Sequence, residues 1–521
     1  MHCILFSQKF TLQVTSNIQP DLNIINTYSY KKRHSTKENV FSEVKKIKKS
    51  LNKKGYLKVT YKLSKQDSTF TYYFRLGKKI NIAKIKRDNA YIQIKFCQLK
   101  KYLEHKKKEL DSKGESFTEI KLTDINITQD TLNATLITHR KNVRSINKVV
   151  VKGYQQFPKS YFKNYLFLKK KKVVNKRKLN LISEQLQTLN FVKEVKKPEF
   201  LFSNDSTFLF LYLSKKKQSS FDGFLSAIPS KNKLKVSGNL ILKLLNTMDK
   251  GEDFVINWIS NQNNTSLNIN LNYPFMFNTP ITPKINFNIF KQDSTFITSK
   301  VYSELSYQSS YKSSYSFCYS STKSSYLLNQ NSKNISSFSS HFLGVSFETL
   351  LKPKKSIFTN NSYFKSSLFF GSRNSANQKD YQMKLLSKLK YTHDFSKKKS
   401  VSIGLEAGFL ISDSYVENEL FRIGGSNSIH GFLLNSIEAS KYGIVNTQYN
   451  HLINENKLLY TIFDTATYKH NRKNTIFSMG IGYSQFLNNT LTSIEYVLGS
   501  NKNQKFFNGN SLLSIRTTIY L

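Results

Sequence analysis

Acidic residues, cysteine, tryptophan and long apolar runs are all scarce in this chain. Its 521 residues carry 33 Asp and Glu against 80 Lys and Arg, a formal charge of +47. The three cysteines, Cys3, Cys97 and Cys318, lie far apart and form no CxxC pair or other metal-ligand spacing, so no metal and no cofactor is indicated. No P-loop, HExxH, GxSxG or carboxylate pair in a recognisable setting occurs, which argues against an enzyme. A run of about 18 uncharged apolar residues is also missing. That argues against a transmembrane helix and leaves alternating membrane strands open.

What is present is a large stock of apolar side chains. With 39% hydrophobic and 14% aromatic residues, the chain is too rich in them for a disordered polycation. At about 100–200 residues per domain its length predicts several domains. The basic excess is uneven: residues 1–219 hold 48 basic and 16 acidic side chains, and residues 220–521 hold 32 and 17. The first part is Lys-rich with mixed periodicity; the second is rich in Ser, Asn, Tyr and Phe with strand-like alternation. The surplus reads as solvated faces, with lipid head groups or nucleic acid as the competing anionic partner. Cys3-Ile4-Leu5-Phe6-Ser7-Gln8 reads as the end of a secretory apolar region and a small-residue cleavage point, so residues 1–8 are expected to be a signal-peptide remnant. A short first strand is the alternative.

The N-terminal part contains a pattern that returns at about 70 residues, the mark of tandem modules. In the first unit Phe10, Leu12 and Val14 alternate as a strand. Ser35 with Glu38 predicts a capping box for a helix with Val40, Val44, Ile47 and Leu51 on one face, ended by Gly55. Strands at 56–61 and 69–76 follow, turning over 65–68. In the second unit a helix with Leu99, Tyr102, Leu103 and Leu110 stops at Gly114, before strands around 117–125 and 132–137. The third runs from a strand ending in Gly153, through helical stretches at 159–168 and 175–189, to a hairpin at 191–195 and 207–213. This β-α-α-β-β order resembles the last POTRA (polypeptide-transport-associated) module of outer-membrane assembly proteins, carried by Ile146–Gly153 and by the helix-to-strand passage Leu186–Val192. Such modules are known to take clients by strand addition at a sheet edge, for which Leu209 and Leu211 mark the expected edge strand.

From Phe221 onward the period is two. Leu234, Val236, Leu240, Leu242 and Leu244 share one face, and Lys235, Ser237, Asn239 and Lys243 the other. Leu267, Ile269 and Leu271 alternate with Asn268, Asn270 and Asn272, and Ile285, Phe287 and Ile289 with Asn286 and Asn288. A soluble sandwich alternates too, but a polar lumen of Asn, Ser and Thr with Tyr and Phe at two interfaces is how a membrane barrel uses these residues. Allowing about 19 residues for each strand and its connection, this region holds about 16 strands.

Within it, Phe421-Arg422-Ile423-Gly424-Gly425-Ser426-Asn427-Ser428-Ile429-His430-Gly431-Phe432 resembles the loop of the BamA/TamA-like superfamily, shared by two-partner secretion transporters, that folds back into the barrel. The resemblance rests on Gly424, Gly425, Ile429, His430, Gly431 and Phe432: paired glycines let the backbone turn and approach the wall, and the aromatic anchors it. The family's central Arg is His430 here, which implies a weaker, pH-sensitive or differently built lock. The same resemblance makes Asp464, in the strand around Leu458–Asp464, its lumen partner. Leu513, Ile515, Thr517, Ile519 and Leu521 resemble a final barrel strand, with Leu521 in place of the usual aromatic.

The expected fold is therefore α+β POTRA-like modules at 9–83, 84–141 and 142–218, followed by an antiparallel transmembrane β-barrel of 16 strands at 219–521. Leu234 and Val236 on the first barrel strand and Leu513, Ile515 and Leu521 on the last are expected to form the seam. The resemblance implies an outer-membrane assembly factor with its modules in the periplasm. It would receive unfolded outer-membrane or secreted clients, sit in outer-membrane lipid, work with accessory assembly proteins, and bind no nucleic acid. A two-partner-secretion-type pore is the alternative, and a basic nucleic-acid-binding protein a remote one.

Overall fold

The structure, a computed structural model, describes residues 10–521 except 89, 114, 116, 141–143, 169–174, 204–205, 231–232, 261–263, 294, 328–334, 355, 376–377, 427 and 501–510. The expected signal remnant at 1–8, the helix stop at Gly114 and Asn427 of the loop motif lie outside the described residues. The chain divides into two compact units, one holding the first two modules and the other the third module with the barrel.

In the first module the sheet order is Arg33–His34, Phe10–Thr15, Thr69–Arg75, Thr60–Gln66. The helix Lys37–Lys53 buries Val40, Val44, Ile47 and Leu51 against Leu12, Val14, Phe70 and Phe74. Fully burying such side chains is worth about 1.5–3 kcal/mol each, so this stripe holds the helix on the sheet. Its cap lies one residue later than expected: Thr36 accepts from the Asn39 backbone N–H at 3.3 Å, while Ser35 takes the Asn39 side chain. Gly55 closes the helix with φ +109, where a Cβ would meet the Ile80 carbonyl at 2.2 Å. The strand expected at 56–61 instead begins at Thr60, because Tyr56 and Val59 are drawn into the core beneath the helix. Its turn tightens to Asp67-Ser68, with Asp67 at φ 50.

The second module has the order Ala90–Lys95, Ile82–Arg87, Thr131–His139, Glu119–Thr128, under one helix, Phe96–Ser112. Its Ile82–Arg87 strand pairs on both sides within this sheet, so the module begins before the expected 83/84 boundary.

The third module keeps the β-α-α-β-β order, with helices Lys159–Asn164 and Lys176–Thr188 over a sheet ordered Val192–Phe202, Thr207–Lys215, Lys148–Lys152. Thr207–Lys215 is the centre of this sheet, which corrects the expected edge: Leu209 and Leu211 are fully buried core residues. Three-stranded closure puts the most apolar strand in the middle, where both of its sides are paired.

The barrel has sixteen antiparallel strands. The first eight are Ser220–Ser230, Lys233–Leu245, Asp253–Ser260, Asn264–Asn272, Ile281–Gln292, Phe296–Gln308, Ser313–Tyr326 and Phe338–Lys352. The rest are Ser362–Ser375, Gln378–Asp394, Lys399–Ile411, Lys441–Asn454, Lys457–Lys469, Lys473–Leu487, Thr490–Ser500 and Ser511–Tyr520. Closure at this strand number bears out the expected fold class. Alternation sorts the side chains: Leu305, Phe317, Leu343, Val345 and Ile481 are exposed on the outside, while Ser316, Ser340, Ser367 and Asn450 are buried within.

The first and last strands pair only from Ser220↔Tyr520 to Asp222↔Thr518, against eleven pairs between the first and second strands. Thr518 Oγ1 donates to Asp222 at 2.9 Å, and the Leu521 N–H to the Ser219 carbonyl at 2.8 Å. Here the expected seam needs correction. Leu234 and Val236 lie on the second strand, opposite Pro229 and Ala227, because the barrel already begins at Ser220. Leu513 and Ile515 are on the last strand but beyond the paired stretch of the seam, opposite Tyr496 and Ile494 of the fifteenth. Of the expected seam residues, Leu521 reaches it.

Candidate functional site

The connection between the eleventh and twelfth strands turns inward as a short hairpin, Phe421–Ile423 paired with Ile437–Ala439, and packs against the inner wall. Two glycines permit the bend. Gly424 has φ +116, with the Leu433 carbonyl 2.4 Å from where a Cβ would sit, and Gly425 has φ +90 and donates its N–H to the Phe432 carbonyl at 3.1 Å. Ile429 and Phe432 are buried with Ile423, Ile444, Ala466 and Ile476, so apolar packing seats the loop on the twelfth to fourteenth strands.

His430 and Asp464 meet. The His430 backbone N–H donates to Asp464 Oδ2 at 3.0 Å, and its ring Nδ1 lies 2.6 Å from the same oxygen. Ser478 approaches Oδ2 at 3.5 Å, whereas Oδ1 is buried with no hydrogen-bond partner among the described residues. A guanidinium could bond both oxygens of a carboxylate; imidazole serves one, and the second is left. Beside it Gly431 presses on the fifteenth strand: a Cβ there would come within 3.0 Å of Gly499 N, and a Cβ on Gly499 within 2.6 Å of the Gly431 carbonyl. Asn446 Nδ2 bonds the Ser428 carbonyl at 2.8 Å, and Arg516 of the last strand bonds Ser426 at 2.6 Å. The loop thus touches both the Asp464 strand and the last strand.

A second anchor holds the loop's other limb. The buried Arg373 guanidinium bonds Glu419 of the loop and Asp380 of the tenth strand, and reaches Ser414 at 2.6 Å. Gln382 adds a bond to Glu419 at 2.9 Å, and Asn418 donates to Ser324 at 2.8 Å. Arg422 pairs with Glu438 across the hairpin at 2.6 Å and lies over the rings of Phe290 and Phe296. The sequence reading missed this anchor. One signal was available: arginine is rare after residue 219, four of 32 basic residues, and Arg373 falls on an inward position. Nearer the third module, the buried Glu304 is satisfied by Lys284 at 2.9 Å, Lys365 at 3.0 Å and Tyr302 at 2.7 Å.

The third module is joined to the barrel's near end. Tyr154 donates to Asp249 at 2.6 Å and accepts from Asn246 at 2.7 Å, and Lys215 pairs with Asp249 at 2.7 Å. The Lys215 ammonium, then the Tyr154 hydroxyl, hold the Asp249 carboxyl below its ordinary value. Tyr161 and Tyr165 clasp Phe275, which stands in the left-handed region at φ 55. Burial pushes the Tyr165 hydroxyl up to about 12 and that of Tyr161 higher still.

No protein-family model matches the sequence, and no curated protein matches it. Among solved structures the chain is similar to CdiB from Escherichia coli, at 10% identity and a TM-score of 0.53 over 92% of this chain and 96% of that one. It is also similar to CdiB from Acinetobacter baumannii, at 14% identity and a TM-score of 0.53 over 82% of each chain. BamA from Haemophilus ducreyi lacking POTRA domains 1–3 aligns at 13% identity with a TM-score of 0.44, over 81% of this chain and 93% of that one. At these identities the CdiB likenesses establish the fold, modules and barrel together.

Proposed function

We propose that this chain is an outer-membrane protein that inserts or translocates other polypeptides, receiving β-rich clients at its modules and passing them through or beside the barrel. The observation that carries this reading is the juxtaposition of a short seam with a loop pinned inside the lumen. The three-pair closure is the weakest junction of the wall, and the loop that touches Arg516 on the last strand is placed to sense or hold it. Covalent chemistry is not part of the reading.

The sheet edges refine the client step. Val192–Phe202 carries Pro198 and two register shifts, and Glu119–Thr128 is bulged near Asp124, both devices that blunt an edge. Thr60–Gln66 pairs in unbroken register on one side and is exposed along its length, which leaves it open to an added strand. Proline at Lys62 or Leu63, one on each side of the strand's alternation, removes a backbone donor from that edge in one case or the other. We expect at least one of the two to lower the amount of folded clients while the variant's own barrel keeps its heat-modifiable gel mobility. Normal client levels with both variants folded would remove edge addition at this site.

A pore for one dedicated exported protein is the second reading, favoured by the cavity of about 760 Å³ that remains inside the barrel beside the loop. Depletion separates the two: general loss of outer-membrane barrels fits an assembly factor, and loss of a single secreted protein fits the pore.

A further inference from the structure

The cavity beside the loop carries uncompensated positive charge. Lys365 and Lys388 line it but are neutralised by Glu304 and by Glu406 at 2.6 Å. Lys300 of the sixth strand and Lys384 of the tenth also line it, and among the described residues neither has a carboxylate partner within ion-pair distance. The Lys384 ammonium rests 3.8 Å from the centre of the Phe342 ring, and the carboxylate that acts on it, Glu419, is committed to Arg373. Lys300 and Lys384 face the same cavity. Two like charges facing one cavity are relieved either by loss of a proton or by an anion that joins them. Around them the wall supplies donors from Asn288, Thr322 and Ser340, and the loop supplies Asn435, while Arg422, which also lines the cavity, is already paired with Glu438.

The geometry points to an anion-binding site in the barrel lumen, between Lys300 and Lys384 on the wall and Asn435 on the infolded loop, for an oxyanion-bearing small molecule. The volume of about 760 Å³ lies in the range of small-molecule sites. Because its donors come from both wall and loop, occupancy would fasten the loop in the lumen. The shared chemistry is the oxyanion; a phosphate ester or a polycarboxylate could supply it.

The test uses the full chain refolded in non-ionic detergent, titrated calorimetrically with pyrophosphate and, separately, with citrate. Saturable binding of one anion per chain is expected, weakening with added salt. Preference for pyrophosphate assigns the site to phosphate-bearing ligands, and preference for citrate to carboxylates. Lys300→Gln and Lys384→Gln should each weaken binding about tenfold, the loss of one charge-assisted contact, while Lys384→Arg should retain it. The bound anion should also slow protease cleavage within 412–440 in the natural protein and not in the Gln variants. Heat-modifiable mobility verifies each barrel, and if one Gln variant does not fold the other decides. No saturable binding of either anion, or undiminished binding in a folded Gln variant, overturns the proposal.

Discussion

Replacing His430 with Arg is the sharpest test of the loop lock, because the structure fixes the direction of the effect. Asp464 receives both of its short bonds on Oδ2, and its buried Oδ1 has no partner among the described residues. An orphaned buried acceptor costs about 1–3 kcal/mol. The Arg fork can reach both oxygens, at an added ordering cost of about 1 kcal/mol for its longer side chain. The net gain is about 1 kcal/mol, roughly a fivefold rise in the ratio of docked to undocked loop. Asp464→Asn acts in the opposite direction. Removing the charge about halves the strength of two charge-assisted bonds, a loss of about 2 kcal/mol or roughly thirtyfold. The assay is amide hydrogen exchange of the segment 428–434, in which the His430 N–H is itself one of the bonds being measured. Exchange should slow in His430→Arg and quicken in Asp464→Asn at fixed pH and temperature. Equal exchange in natural protein and both variants, or faster exchange in His430→Arg, would refute the reasoning.

Two further outcomes are expected. Arg373→Met leaves Asp380 and Glu419 buried without their cation, a loss of about 3–5 kcal/mol, and should free the 412–420 limb to proteases while His430 stays docked. Asp249, whose carboxyl is held low by Lys215 and Tyr154, adds stability to the joint above the ordinary carboxylate value, and that stability is lost as pH falls through the lowered folded value. Intramolecular crosslinking between the third module and the 246–252 turn should therefore hold from neutral pH to about 4 and fall below it, and Asp249→Asn should abolish the dependence.

Much of the architecture was legible because its signals are local. Alternation at Leu267–Asn272 and Ile285–Ile289 repeats every two residues, and a strand buried on one side needs nothing more to announce itself. The helical stripe Val40, Val44, Ile47, Leu51 is likewise written in its own segment. The loop motif placed His430 and Asp464 together through a resemblance, since 34 positions separate them and no spacing rule joins them.

What the chain order could not reveal is what depends on which segments become neighbours. Period two does not say where a barrel begins, so Leu234–Leu244 looked like the first strand until closure at Ser220 made it the second. It does not say which strand of a sheet is central, so Leu209 and Leu211 looked like an edge although they are the middle of a core. The Arg373 anchor joins the hairpin of the ninth and tenth strands to Glu419, 46 positions away, and the charge on Lys300 and Lys384 matters only because their strands curve around one cavity. Local periodicity is a property of a few consecutive residues; closure, centrality and the pairing of buried charges are properties of the assembled wall, and they exist only once it has closed.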